Sequence, residues 1–400
     1  MTISLEQLSR CTVAVDMGAA RTRIYIKGSG LVVDEPSYAA INRATGALLA
    51  VGTEAERMMG RTPAHIRVVR PVGAAGINDI EMAQRMLRYL VDDRIRRAWR
   101  FNPSLRAAAC VPHDAEPLAQ RAVIDTLAGV GARRVLLVDT LIAGAVGCGL
   151  PVAEAEGALI AVCGAAMTQV AVLSLGNVVA AEKIPVGGYA VERALVEYFR
   201  THHGLFLSAQ KARSVHERLS AAVAAGERTA EVHGRDVITG LRRTVTADPL
   251  EAERAACTPM LAVFDGIRAV LRRCPPDLVA DVGERGVMLA GGNAAMPGLE
   301  AMLREAARLP VHVAEHPGVA PILGLGALLN GGTGGFDYAP EEVSQTPALD
   351  ALEYDELPEQ LGHDEDGGQV MPERERSRSG WQRAARALGV GRDREGAGSR

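Results

Sequence analysis

Val13-Ala14-Val15-Asp16-Met17-Gly18-Ala19-Ala20-Arg21-Thr22-Arg23-Ile24 has a counterpart later in the chain, Ile160-Ala161-Val162-Cys163-Gly164-Ala165-Ala166-Met167-Thr168-Gln169-Val170. Each copy reads as an apolar strand, a Gly-Ala-Ala-x-Thr-x turn, and a strand of alternating character (Ile24, Ile26; Val170, Val172). That pattern predicts two hairpins with tight glycine-containing turns. One such hairpin in each half implies two like domains facing a shared cleft. Small residues at a strand-to-strand turn let backbone amides approach a phosphate. A duplicated turn with a purely structural role fits the same residues.

The rest of the chain is compatible with this plan. Its 400 residues provide for two to three domains. Apolar residues make up 48% but aromatics only 4%, so Ala, Val and Leu must fill the core. A net charge of −4 argues against a dedicated nucleic-acid binder. The six cysteines (11, 110, 148, 163, 257, 274) show no CxxC spacing and read as buried, reduced thiols of a cytosolic protein. Met1–Arg10 lacks a charged-then-apolar signal pattern. The apolar run Val135–Ala153 is interrupted by Asp139, Thr140 and Pro151, which suits a strand, a turn and a short helix rather than a membrane span.

Helical periodicity covers Ile80–Arg97, Ala119–Val130, Val191–Phe199 and Leu299–Ala307. Val287–Ala294 reads as a buried strand running into a Gly291-Gly292 turn, which suits an adenine or ribose contact or simply a sharp bend. Composition changes near Gly331: Asp337–Asp366 carries eleven acidic residues without Lys or Arg, and Arg dominates from Arg374. Residues 331–400 are therefore expected to be a disordered, acidic-then-basic tail. Trp381, Ala384, Ala385 and Leu388 fall at helical spacing within it, as a solvated segment or a basic amphipathic helix. The pairs His202-His203 and His312/His316 lack a third ligand nearby and read as packing or surface residues.

From residue 11 to 330 the chain resembles the MreB/Mbl family of bacterial actin homologues. The carrying segments are Val51–Ala55 through Met59–Pro63, Arg70-Pro71, Cys110–Pro112, Gly147–Pro151, Val186–Gly188, Gly234–Leu241 and Pro275–Leu278 with Arg285-Gly286. The resemblance implies an α/β, actin-like (ribonuclease H-like) two-domain ATPase fold. Domain I would span 1–150 with a small insert at 36–70. Domain II would span 151–330 with an insert at 190–245 and a last helix returning to domain I. It also implies ATP and Mg²⁺ as cofactors, and filaments under the membrane that guide cell-wall synthesis and set cell shape.

The nucleotide residues carried over are Asp16, Gly18, Ala19, Ala20, Arg21, Gly164, Ala165, Ala166, Arg213, His216, Gly291, Gly292, Asn293 and Ala294. Asp16 would order the waters of Mg²⁺. The departures cluster at this site. The family's first turn is Asp-x-Gly-Thr-Ala-Asn and its second Asp-Ile-Gly-Gly-Gly-Thr. Here the Thr hydroxyl of the first becomes Ala19, the Asp of the second becomes Val162, which offers a metal no oxygen ligand, and the Gly run of the second becomes Gly164-Ala165-Ala166, whose two Cβ atoms crowd the place where backbone would touch phosphate. The hydrolytic Glu aligns with Thr140, which cannot serve as a carboxylate base, and Asp139 as a strand neighbour would face the other way. The ribose-binding Glu and Lys fall on Arg213 and His216, and Arg has no acceptor for a hydroxyl. Arg21 can pair with a phosphate or with an acidic residue across the cleft. Together these losses imply a degenerate ATP site with weak or absent hydrolysis.

Arg94–Pro103 occupies the family's membrane loop. Trp99 and Phe101 ringed by Arg suit an anionic lipid surface, or equally a helix end capping the core. Expected partners are the chain itself or a more typical MreB-type protein, elongation-machinery proteins of the membrane, and the inner face of the cytoplasmic membrane, to which a cytoplasmic protein would bind peripherally. An active ATPase using atypical phosphate contacts, or a non-filamentous scaffold or chaperone-type module, are the other readings.

Overall fold

The computed structural model describes residues 5–91 and 105–332. Trp99, Phe101 and residues 333–400, to which a membrane contact and a disordered tail were assigned, lie outside the described residues.

After α1 (Leu5–Ser9), the strands β1 (Val13–Met17), β2 (Arg21–Ile26) and β3 (Gly30–Pro36) form an antiparallel meander. The chain then builds a small sheet of β4 (Ala39–Asn42), β5 (Leu48–Val51) and β6 (Ile66–Val69), with α2 (Thr53–Met58) packed on it. A short pair, β7 (Val72–Gly73) and β8 (Gly76–Ile77), leads to α3 (Ile80–Leu90). β9 (Arg106–Val111) returns beside β1 in parallel, and α4 (Pro117–Gly129) carries the chain over to β10 (Arg134–Asp139), parallel to β9. The first large sheet is thus ordered β10-β9-β1-β2-β3.

α5 (Thr140–Gly147) leads to the second half, where β11 (Ala158–Cys163), β12 (Thr168–Ser174) and β13 (Asn177–Ile184) repeat the meander. Next come α6 (Gly188–His203), β14 (Leu205–Phe206), α7 (Ala209–Ala224), β15 (Ala230–Asp236) and β16 (Arg242–Ala247), whose three strands form another small sheet. α8 (Pro249–Cys257), α9 (Leu261–Leu271) and α10 (Pro276–Arg285) precede β17 (Val287–Ala290), α11 (Leu299–Ala307), β18 (Val311–Val313) and α12 (Ala320–Leu329). The second large sheet is ordered β13-β12-β11-β17-β18, with β17 and β18 parallel to β11. Strand for strand, it has the topology of the first. The repeated Gly-Ala-Ala turns occupy equivalent places, between the first two strands of each sheet. Parallel neighbours need a long crossover, which α4 and α11 supply.

Local chemistry accounts for the helix starts. The Asp79 side chain accepts the Met82 amide at the head of α3, and Asp248 accepts those of Leu250 and Glu251 at the head of α8. Of the helix expected over Ile80–Arg97, α3 covers Ile80–Leu90 and ends where Val91 turns to extended backbone with its side chain buried; 92–97 lie outside the described residues.

A large apolar cluster lies in each half, a third forms the seam between them, and a small fourth (Ala40, Ala50, Ala55, Ile66) lies between α2 and the β4-β5-β6 sheet. The seam joins α5 and α12 to Ile160, Val162, Ala171 and Leu173. With so few aromatics it is closed by small residues at very short range. A Cβ on Gly147 would stand 1.9 Å from the Ala320 carbonyl oxygen, and one on Gly324 would stand 1.8 Å from that of Ala143. α12 also packs on β1 and β2, so the last helix lies against the first half. All six cysteines are free; burial pushes the thiols of Cys11 and Cys163 up to about 12.

Candidate nucleotide cleft

The two hairpin turns have one geometry. The Gly18 amide donates to the Arg21 carbonyl and the Gly164 amide to that of Met167, both at 2.9 Å, leaving Ala19-Ala20 and Ala165-Ala166 as tips. The second tip is held from below. Asn293 donates its Nδ2 to the Gly164 carbonyl at 2.8 Å and its amide to Cys163 at 3.0 Å, and the Tyr189 amide donates to Ala165 at 2.8 Å. Gly291 makes this approach possible. Its φ is +89°, and a Cβ there would stand 2.4 Å from the Cys163 carbonyl oxygen. Asn293 is therefore spent on positioning the tip, and Ala294 is buried in the core of the second half. The tips, Gly291 and Gly292 are brought together.

Several groups connect the halves directly. The Tyr189 hydroxyl donates to the Ala19 carbonyl at 3.0 Å, and the Arg70 guanidinium lies over the rings of Tyr189 and Tyr38. The His113 amide donates to Gln169 Oε1 at 2.7 Å, and Lys183 Nζ donates to the Asp114 carbonyl at 2.7 Å.

The charged residues sit in a row set by register. Asp16 faces Arg23 across β1 and β2, and Arg23 faces Asp34 across β2 and β3. Arg23 Nη1 is 3.5 Å from Asp16 Oδ2, and both side chains are largely buried. Burial raises the Asp16 carboxyl above its usual pKa, and the Arg23 guanidinium opposes that rise. Arg21 binds Asp34 twice, through Nε to Oδ1 and Nη2 to the carbonyl, each at 2.6 Å. Its salt bridge is thus to the neighbouring strand, not across the cleft.

In the second hairpin the positions equivalent to Asp16 and Arg23 are Val162 and Gln169, again opposite one another. Val162 packs with Ile160 and Pro321 over Gly144 of α5. Among the described residues no group of three or more His, Cys, Asp or Glu side chains is placed to hold a metal ion. Mg²⁺ needs oxygen ligands. One candidate carboxylate here is paired with a guanidinium and the other position is a buried valine, so these residues do not fit that ion. The tips carry nothing larger than a methyl group, and the Gly291-Gly292 turn lies directly behind the second of them.

At the position expected for hydrolysis, Thr140 Oγ1 donates to the Val111 carbonyl at 2.8 Å. Asp139 accepts the Leu141 amide at 2.8 Å and lies 2.6 Å from His113 Nδ1. That hydrogen bond raises the His113 pKa against the opposing effect of burial. Strand alternation does not separate Asp139 from Thr140 as expected, because β10 ends at Asp139 and the residue becomes the cap of α5. Of the ribose pair, Arg213 binds Glu192 at 3.3 Å. His216 is buried against Cys257, and burial lowers its pKa. It is a packing histidine.

The model of the family described as MreB/Mbl protein matches residues 10–333. The chain belongs to the MreB/Mbl family. It is 34% identical over 310 residues to the cell shape-determining protein MreB of Escherichia coli K12, covering 76% of this chain and 89% of that protein. It is 30% identical over 319 residues to the cell shape-determining protein Mbl of Bacillus subtilis, covering 80% and 95%. Among solved structures, MreB5 of Spiroplasma citri bound to AMPPNP aligns with a TM-score of 0.73 at 25% identity, over 78% of this chain and 93% of that one. The fold is accordingly the actin-like α/β fold.

Set against the MreB/Mbl turn sequences, the residues missed in reading the sequence are Arg23 and Tyr189. Arg23 could have been found by counting, since a two-residue tip places it directly opposite Asp16. Tyr189 carried no such signal, because its partner is a backbone carbonyl of the other half.

Proposed function

We propose that this MreB/Mbl chain is a cytoskeletal cell-shape protein that forms or joins filaments at the inner face of the cytoplasmic membrane, guiding cell-wall synthesis with little or no ATP hydrolysis. Domain I (1–150) and domain II (151–330) would enclose the cleft, with the inserts at 36–70 and 190–245. The observation that carries the low turnover is the engagement of both side chains at the hydrolytic position. Thr140 is bonded to Val111, and Asp139 is bonded to Leu141 and His113. Thr140 supplies no carboxylate, and each Asp139 oxygen is already bonded within the first half; loss of a water-orienting carboxylate costs orders of magnitude in rate. ATP phosphates would meet the Ala19-Ala20 and Ala165-Ala166 tips, and the adenosine the Gly291-Gly292 turn. Trp99 and Phe101 would touch lipid, and a more typical MreB-type protein would be the filament partner.

The test is sedimentation of the full chain, alone and with such a partner, alongside phosphate release from ATP. The expected result is pelleting in at least one condition, with phosphate release at the level of buffer. Sustained release would refute the low turnover, and a chain that never pellets would refute the filament. Flotation with anionic vesicles, lost on replacing Trp99 and Phe101 by Ala, tests the membrane contact.

A further inference from the structure

We propose that Arg23 is the fixed cation of this cleft, so that nucleotide phosphates bind here without a divalent metal ion. The inference deepens the nucleotide reading above and rests on it; the filament reading does not depend on it.

Three observations place the guanidinium. First, the registers of β1 with β2 and of β2 with β3 put Asp16, Arg23 and Asp34 on adjoining strands in one row, with their side chains on one face. Second, the guanidinium stands between the two carboxylates, with Nη1 3.5 Å from Asp16 Oδ2 and Nε 3.1 Å from Asp34 Oδ1. The Arg23 side chain is only 10% exposed, and its enclosed Nε makes no hydrogen bond, because the approach to Asp34 is poorly aligned. Third, Nη2 points toward the other half. A Cβ on Gly318, just ahead of α12, would lie 3.7 Å from Nη2 and 3.8 Å from the Gly292 Cα. The guanidinium therefore spans from the Asp16 strand toward the Gly291-Gly292 turn, within the cleft.

The charge balance fits that placement. The family's two turns each carry an Asp, a doubly negative pair suited to a hydrated divalent ion. Here the equivalent positions are Asp16 and Val162, and the residue opposite Asp16 is Arg23. Asp16 and Asp34 with Arg23 and Arg21 make two carboxylates and two guanidiniums, neutral as they stand. A divalent ion approaching Asp16 would meet a resident positive charge and find no second carboxylate at Val162. Arg has five donors in a planar fork, so one edge can hold Asp16 while the remaining N–H groups address phosphate oxygens. In this cleft Arg23 is a phosphate-positioning residue; it takes no part in bond making.

ATP binding to the full chain by calorimetry, in EDTA and in excess Mg²⁺, is the test. The expected result is the same affinity in both buffers, within about twofold. Arg23→Gln, which keeps a polar side chain and loses the charge, should weaken binding in EDTA by about tenfold or more, and Arg23→Lys should recover part of it. Circular dichroism of each variant shows that it is folded. Binding that strengthens about tenfold or more on adding Mg²⁺ overturns the proposal, as does an Arg23→Gln variant that binds like wild type in EDTA. Absence of ATP binding in both buffers also overturns it, and leaves the filament reading to the pelleting assay.

Discussion

Gly324→Ala puts a single methyl into the seam between the two halves. The new Cβ would stand 1.8 Å from the Ala143 carbonyl oxygen and 2.5 Å from the Gly147 amide nitrogen. Carbon and carbonyl oxygen pack no closer than about 3.3 Å, so α5 and α12 must separate by about 1.5 Å. The atoms met are backbone on the facing helix, so no rotamer change relieves the clash. A radial gap of about 1 Å already forfeits up to half of a dispersion contact, and the side chains at stake include Leu141, Ile142, Leu325 and Leu328. The cost should therefore reach the upper end of overpacking, about 3 kcal/mol. Gly147→Ala meets the Ala320 carbonyl oxygen at 1.9 Å and should cost as much. The double variant should cost well short of the sum, because one separation relieves both clashes. Gly283→Ala is the matched control: the same methyl, on exposed α10 with nothing within 4 Å, should stabilise by about 0.8 kcal/mol through helix propensity. Urea midpoints followed by circular dichroism measure all four. Additive single costs, or a Gly324→Ala midpoint equal to wild type, would refute the close helix crossing.

Three further outcomes are expected. Val162→Asp should cost about 3–5 kcal/mol, because it places an unpaired carboxylate in the apolar seam, and should bring no ATP turnover; an unchanged urea midpoint would count against this placement. The His113–Asp139 pair raises the folded pKa of His113 above its unfolded value near 6.5, so its stabilisation is complete below that pH and fades as pH rises through the folded pKa. The urea-midpoint gap between wild type and His113→Gln should narrow between pH 6 and pH 9, and a constant gap would rule the pair out as its source. Asp248→Ala removes the cap of α8 and should cost about 1 kcal/mol, read as a lower urea midpoint.

What the sequence determined by itself is local or repetitive. The Gly-Ala-Ala turns predict two hairpins, and both are present with matching Gly18–Arg21 and Gly164–Met167 bonds. The helix at Leu299–Ala307 has the expected bounds, because periodicity and adjoining glycine are both written within a few residues. The long family segments identify the fold, and the substitutions at Thr140 and Val162 are legible as changes of chemistry. What only the tertiary structure decided is the partner of each polar group. Arg21 turns to Asp34, Asp139 becomes a helix cap, Asn293 holds a hairpin tip, His216 packs on Cys257, and Tyr189 reaches Ala19. Periodicity says which face a residue is on, but a hydrogen bond also needs a second group within about 3 Å, and that group comes from a distant segment. The placement of Arg23 between two carboxylates follows from strand register plus the approach of the other half, and only the folded chain brings these together.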